Sequence, residues 1–309
     1  MKILKTFLIL GTALSLANCT SNNSSDTVVA GGGGPSPQTP ADTAKQQAER
    51  ISDSYLKLGI VKTGGVFKTT TKQVLGYEVD STLRAFGKDG FVVTAVTSNS
   101  AGYTLFASKP SESTQTYTTQ MQQVSGYEAA STLKSFGQTG FVVTAVTANS
   151  AGYTLFGMKQ ENSTLTYDTR MDQVYGYDIA SILKSFGSEG FVVTAVTSNS
   201  AGYTLFGMRP SGVTQSFATQ MKQVYGYELD STLTSLGREG FVVTSVTTNS
   251  AGYTLFAMKS ANSTQTYATQ MKQVYGYELE STVRSLGEQG FVVAAATTNS
   301  AGYTLFFYK

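Results

Sequence analysis

The side chains that most often carry enzymatic chemistry are almost absent from this chain of 309 residues, which has no His and a single Cys, Cys19. A Ser or Cys nucleophile needs a neighbouring base, usually His. Zinc needs His or Cys ligands. Calcium needs clustered oxygens, whereas the acids here are dispersed and differ between otherwise similar segments. Gly31 to Gly34 is not a phosphate loop, because no Lys-Ser or Lys-Thr follows it. A carboxylate pair of the kind glycosidases use is the remaining acid–base option. Its candidate acids do not recur: Asp89, Glu189 and Glu239 have Thr139 and Gln289 as counterparts. The expectation is a non-catalytic protein that needs no metal and no cofactor.

Three constellations of polar or aromatic residues remain. One sets an acid (Glu78, Glu128, Asp178, Glu228, Glu278) against a base (Lys109, Lys159, Arg209, Lys259, Lys309). It reads either as a clamp for a polar ligand or as an acid favoured near a helix N-terminus plus a solvated cation at a strand end. The second is Tyr-Gly-Tyr: Tyr175 and Tyr177, Tyr225 and Tyr227, Tyr275 and Tyr277. Aromatic rings in loops can stack on sugars or partner side chains, which makes these six the candidate binding residues. The plainer reading packs the second Tyr on a sheet and leaves the first at the surface. The third, Asn-Ser-Ala-Gly, is expected to be turn chemistry.

These residues recur because the chain repeats itself every 50 residues without insertion from Gly65 to Lys309. Asn-Ser-Ala-Gly-Tyr-Thr-Leu-Phe begins at Asn99, Asn149, Asn199, Asn249 and Asn299. The repeats span 65–109, 110–159, 160–209, 210–259 and 260–309. Each reads as β-α-β-β, so the fold class is α+β, built of small antiparallel sheets with one helix apiece. Phe67 to Val74 is rich in Thr and β-formers and predicts a strand. Val79, Leu83 and Phe86 form one face of a helix over about 78–86, which Gly87 is expected to end. Phe91 to Thr97 and Tyr103 to Lys109 predict a hairpin. In the second strand, simple alternation puts Phe91, Val93 and Ala95 on one face and Val92 and Val96 on the other. Tyr103 and Leu105 oppose Phe106. Both faces are apolar, so the face without the helix should be covered by a neighbouring unit. Since five is odd, one unit is left unpartnered. An amphipathic helix within 39–64 (Ala44, Ala48, Ile51, Tyr55, Leu58) is the expected cap for the first unit.

Leu83-x-x-x-Gly87-x-x-Gly90-Phe91, followed by the strand Tyr103 to Lys109, resembles a small bacterial βαββ family of unknown function. The resemblance covers about 45 residues per copy, implies the same fold and brings no activity. Phe91 stands where that family more often has Trp, and its following Glu is absent. At the N-terminus, Lys2 and Lys5 precede an apolar run ending in Leu16-Ala17-Asn18-Cys19. This resembles a bacterial lipoprotein signal peptide over 1–18, with Asn18 in place of the usual small residue. The resemblance implies lipidation of Cys19 and membrane attachment through that lipid. Thr20 after it, rather than Asp, favours the outer membrane. Residues 19–38, polar and Gly-rich, read as a tether with a reach of about 25 Å.

Removing Lys2 and Lys5 takes 22 basic and 20 acidic residues to 20 of each. A neutral chain with scattered charge is not built for nucleic acid. The function expected from the sequence is thus a lipid-anchored, repeat-built envelope protein that binds a glycan or a protein through repeated weak sites. The alternative is a structural spacer or a self-associating protein without a specific ligand.

Overall fold

A computed structural model describes residues 65–200 and 202–309. The expected signal peptide, Cys19, the tether and the capping helix within 39–64 all lie outside the described residues. Copy one consists of β1 (Phe67–Val74), a 3-10 turn (Gly76–Glu78), α1 (Val79–Lys88), β2 (Val92–Asn99) and β3 (Gly102–Pro110). The other four copies repeat this series, except that copy three enters its helix through a simple turn. In every copy the third strand lies in the middle of the sheet, antiparallel to both others. The helix therefore sits in the long connection between the two sheet edges.

One face assignment made from simple alternation is corrected. Val93 pairs with Ala107 and Ala95 with Phe106, so Thr94 is an extra, bulged residue. A bulge shifts the alternation by one position. Val93 and Val96 consequently share a face with Leu105 and Ala107, under α1. Val92 and Ala95 share the opposite face with Phe106 and Ser108. The backbone N–H of Val93, beside the bulge, donates to the sulfur of Met158 in copy two (3.0 Å). Val143 and Val193 donate likewise to Met208 and Met258, and Val243 to the Tyr308 hydroxyl (2.8 Å).

The second apolar face is covered by the adjacent copy, as expected. Val79, Leu83 and Phe86 of copy one share a core with Ala145, Phe156 and Met158 of copy two. α1 lies on the first strand of copy two (Tyr117–Val124), and each later helix lies on the first strand of the next copy. The expectation of an unpartnered unit is overturned here. The helix of copy five (Leu279–Glu288) packs on β1, and the second strands touch in sequence all the way round to β2. The five copies form a closed ring, so oddness leaves no copy without a neighbour. Among the described residues no open end remains for a cap to cover. Second strands are innermost, around a small axial cavity of about 60 Å³ lined by Ala95, Ala145, Ala195, Ser245 and Ala295. First strands form the rim. The sheets diverge outward, and each helix fills the wedge between two of them.

The same pair of contacts closes every junction. Tyr103, Tyr153, Tyr203, Tyr253 and Tyr303 each pack edge-on against a Phe of the following copy, with ring centroids 5.4–6.3 Å apart. Each also shares a hydrogen bond with a Thr hydroxyl there (Thr154, Thr204, Thr254, Thr304 and Thr104) at 2.9–3.4 Å. At the closing junction the Thr69 hydroxyl additionally donates to the carbonyl of Val283 (2.6 Å).

Gly87 has a different role from the one read in the sequence. The helix continues to Lys88, and a side chain at Gly87 would strike the Tyr117 carbonyl and the Thr119 methyl of copy two. Gly137, Gly187, Gly237 and Gly287 face the next first strand in the same way. The glycine permits a helix backbone to approach a strand, rather than terminating the helix.

The closing junction also inverts a size pattern. Ala107, Gly157, Gly207 and Ala257 are the small residues at one position of the third strand, where Gly157 and Gly207 lie against Phe136 and Phe186 of their own copies, and the next position holds Met158, Met208, Met258 and Tyr308 in copies two to five. In copy five the small position holds Phe307, and in copy one the large position holds Ser108. Both are buried, and the Ser108 hydroxyl has no hydrogen-bond partner. Small size, not polarity, is what this position supplies.

Two outcomes follow for urea unfolding. Helix propensity alone would make Gly137→Ala stabilising by up to about 1 kcal/mol, whereas the contact with Tyr167 predicts a loss of roughly 1–3 kcal/mol. Ser108→Met and Phe307→Ala are each destabilising, the first by overpacking and the second by about 3–5 kcal/mol of lost burial.

Candidate functional site

The Tyr-Gly-Tyr segments follow directly from the strand pairing. Val74 is the last residue of β1 and pairs with Tyr103, one residue after the hairpin glycine Gly102. Asn99 pairs with Gly102, leaving a two-residue tip, and the Asn99 carboxamide oxygen accepts the Ala101 N–H (2.9 Å). The same bond recurs at Asn149, Asn249 and Asn299, so Asn-Ser-Ala-Gly is turn chemistry. Gly102 adopts φ +128° and lies against the Val74 carbonyl, where a side chain has no room. Hairpin tips and Tyr-Gly-Tyr segments thus share one end of each sheet, and the ring gathers all five ends onto one face.

On that face the plainer reading of the Tyr pairs fails. Tyr177, Tyr227 and Tyr277 do not pack on a sheet but are 83 %, 83 % and 84 % exposed. Tyr175, Tyr225 and Tyr275 are more than half exposed. The two rings of each pair turn towards each other. They stack nearly parallel, with centroids 5.9, 5.7 and 5.8 Å apart and interplanar angles of 6°, 5° and 2°. Copies one and two hold Leu75 with Tyr77 and Ser125 with Tyr127, so three stacked pairs occupy three successive copies.

Shallow clefts lie between these features. One of about 260 Å³ is lined by Gln273, Tyr275, Asn299, Tyr303 and Thr304. A second, of about 190 Å³, has Leu75, Glu78, Asn99, Tyr103 and Tyr303 around it. A third, of about 520 Å³, bridges copies two and three through Asn149, Tyr153, Gln173, Thr197 and Asn199. Glu78 is the one charged side chain among these linings.

The acid and base of the proposed clamp are not brought together. The Glu78 carboxylate accepts the Leu75 N–H (3.1 Å), and Glu128 and Glu228 cap Ser125 and Tyr225 in the same way. That is the role of an acid at a helix start. Lys109 lies at the far end of β3. Its ammonium donates to the Asp89 carbonyl and rests 4.8 Å from the centre of the Phe91 ring. Lys159, Arg209 and Lys259 make the equivalent carbonyl bond (2.9, 2.7 and 2.8 Å).

No known family model and no curated protein matches this chain.

Among the described residues no group of three Asp or Glu is placed to hold a metal ion, and no helix is long and apolar enough to cross a membrane. Acidic side chains do meet cations in copy three, where Arg170 bridges Asp172 and Glu189 and lies over the Phe186 ring at 4.3 Å. Glu189 is held below the usual carboxylate range, first by the Ser185 hydroxyl and then by Arg170. Glu239 is lowered by Gln220 and Ser235. Both are surface tethers of the rim, remote from the Tyr face. Burial pushes the Tyr167 hydroxyl up to about 12 and raises that of Tyr308, which fits their places inside the junctions.

Sequence reasoning missed the Tyr103 series, whose members form the floor of the clefts. Tyr303 carries the most there, since its hydroxyl meets Thr104 (2.9 Å) and accepts from the Gln73 amide (2.7 Å). Tyr303→Phe is expected to cost about 1–3 kcal/mol in urea unfolding by leaving the buried Thr104 hydroxyl unpaired, and Tyr153→Phe, which strands the buried Thr204, should cost about as much.

Proposed function

We propose that the protein is a lipid-anchored binding protein of the bacterial cell envelope, non-catalytic, which engages a glycan or protein partner through its exposed Tyr pairs. The observation that carries this reading is the three stacked, solvent-facing pairs on one face of the ring. Large rings left in water cost stability unless something is to cover them, and patches of this kind mark interaction sites. Repetition supports it, because sites held on one rigid body raise avidity without new contacts. The lipobox-like Leu16-Ala17-Asn18-Cys19 supports attachment through Cys19, and Thr20 favours the outer membrane. The likeness of Leu83-x-x-x-Gly87-x-x-Gly90-Phe91 to the βαββ family adds a fold but no ligand.

Edge-to-edge association through the rim is less well supported, since Lys68, Lys72, Lys222 and Lys272 stand on the outer strands, as residues that guard an edge do.

Whole-chain protein lacking one, two or three pairs (Tyr177→Ala, then Tyr227→Ala and Tyr277→Ala) should lose capture of its envelope or host partner progressively. The loss per pair should exceed a simple third, as avidity requires. Capture that is unchanged in the triple variant sinks the proposal.

A further inference from the structure

We infer that the cleft beside the Tyr275–Tyr277 pair is a site for a single ring of a neutral saccharide. This rests on the binding role proposed for the pairs and names the chemistry they meet. The cleft at Tyr275 combines a flat, exposed aromatic wall with Gln273, Asn299 and Thr304, whose amides and hydroxyls both donate and accept. Sugar hydroxyls also do both, and the C–H face of a pyranose packs on an aromatic ring. The space of about 260 Å³ falls just under the ~300–1,000 Å³ of sites for drug-sized ligands. One sugar unit of a longer chain matches it.

Charge narrows the choice. No Lys or Arg lines any of the three clefts, so sulfated or acidic glycans find no counter-charge. The pairs are also separate islands. They sit on separate copies, with polar hairpin tips such as Asn249-Ser250-Ala251 exposed on the same face, whereas a protein helix or strand needs a continuous apolar groove. Copy one, with Leu75 and the acid Glu78 at its cleft, and copy two, with Ser125, lack the paired wall and are the weaker positions.

The test uses the whole protein with maltotriose, cellotriose, mannotriose and chitotriose as neutral probes and a heparin tetrasaccharide as the charged one. Saturation transferred by NMR from Tyr ring protons should reach the C–H protons of at least one neutral trisaccharide. The transfer should persist in the triple variant Tyr175→Phe, Tyr225→Phe, Tyr275→Phe. In the corresponding triple Ala variant, shown folded by circular dichroism, affinity should fall about tenfold or more. Transfer to the heparin fragment alone, equal binding by the Ala variant, or no transfer to any neutral probe each overturns the saccharide assignment. Absent sugar binding together with Tyr-dependent capture of a protein from extracts discards the sugar while keeping the binding role. If capture is also independent of the Tyr residues, both fall.

Discussion

A sheet with two apolar faces and a single helix cannot satisfy itself. That imbalance governs this molecule. Each copy buries one face under its own helix and must borrow cover for the other, and the cover comes from the helix and sheet of its neighbour. Because the demand is the same in every copy, an open row would leave one greasy surface at its end. Closure removes that surface. The bulge at Thr94, the glycine inside each helix and the Tyr–Phe–Thr contact are local answers to the same requirement, that two sheets and a wedge-shaped helix meet closely at every junction.

Closure is achieved without a shared strand. The first strand of each copy pairs with the third strand of that copy, including at the ends of the chain. The last junction therefore depends on side chains: Leu279, Val283 and Leu286 in one core with Ala95 and Phe106, Tyr303 on Phe106 and Thr104, and the Thr69 hydroxyl on the Val283 carbonyl. The large Phe307 and the small Ser108, both buried, set copies five and one apart from the other three.

Much of the copy was legible in the sequence. The 50-residue period, the β-α-β-β order, the buried Val79, Leu83 and Phe86 and the two-residue hairpin all follow from local patterns of Gly, Asn and apolar spacing. The need to cover the second face was legible as well. The ring was not, because closure is a relation between residues more than 200 positions apart, as between Thr69 and Val283, and leaves no local period. Its trace was present in the departures from repetition: Ser108 where other copies have Met or Tyr, and Phe307 where they have Gly or Ala. The bulge hid for a related reason. Every residue from Val92 to Ala95 is buried, so no polar–apolar alternation marks the slip in register. At the site, exposure decided the matter. Identical Tyr-Gly-Tyr letters fit a packed or a solvent-facing ring equally well, and only the three-dimensional position of the glycine turn distinguishes them.

The return of the fifth helix onto β1 changes how the protein can come apart. In a linear array the terminal units have one neighbour and fray first, so stability grades from the middle outward. Here every copy has two, and detaching any of them opens two junctions at once. Hydrogen-exchange protection should then be even around the circle of the described residues, with no end copy at which melting begins.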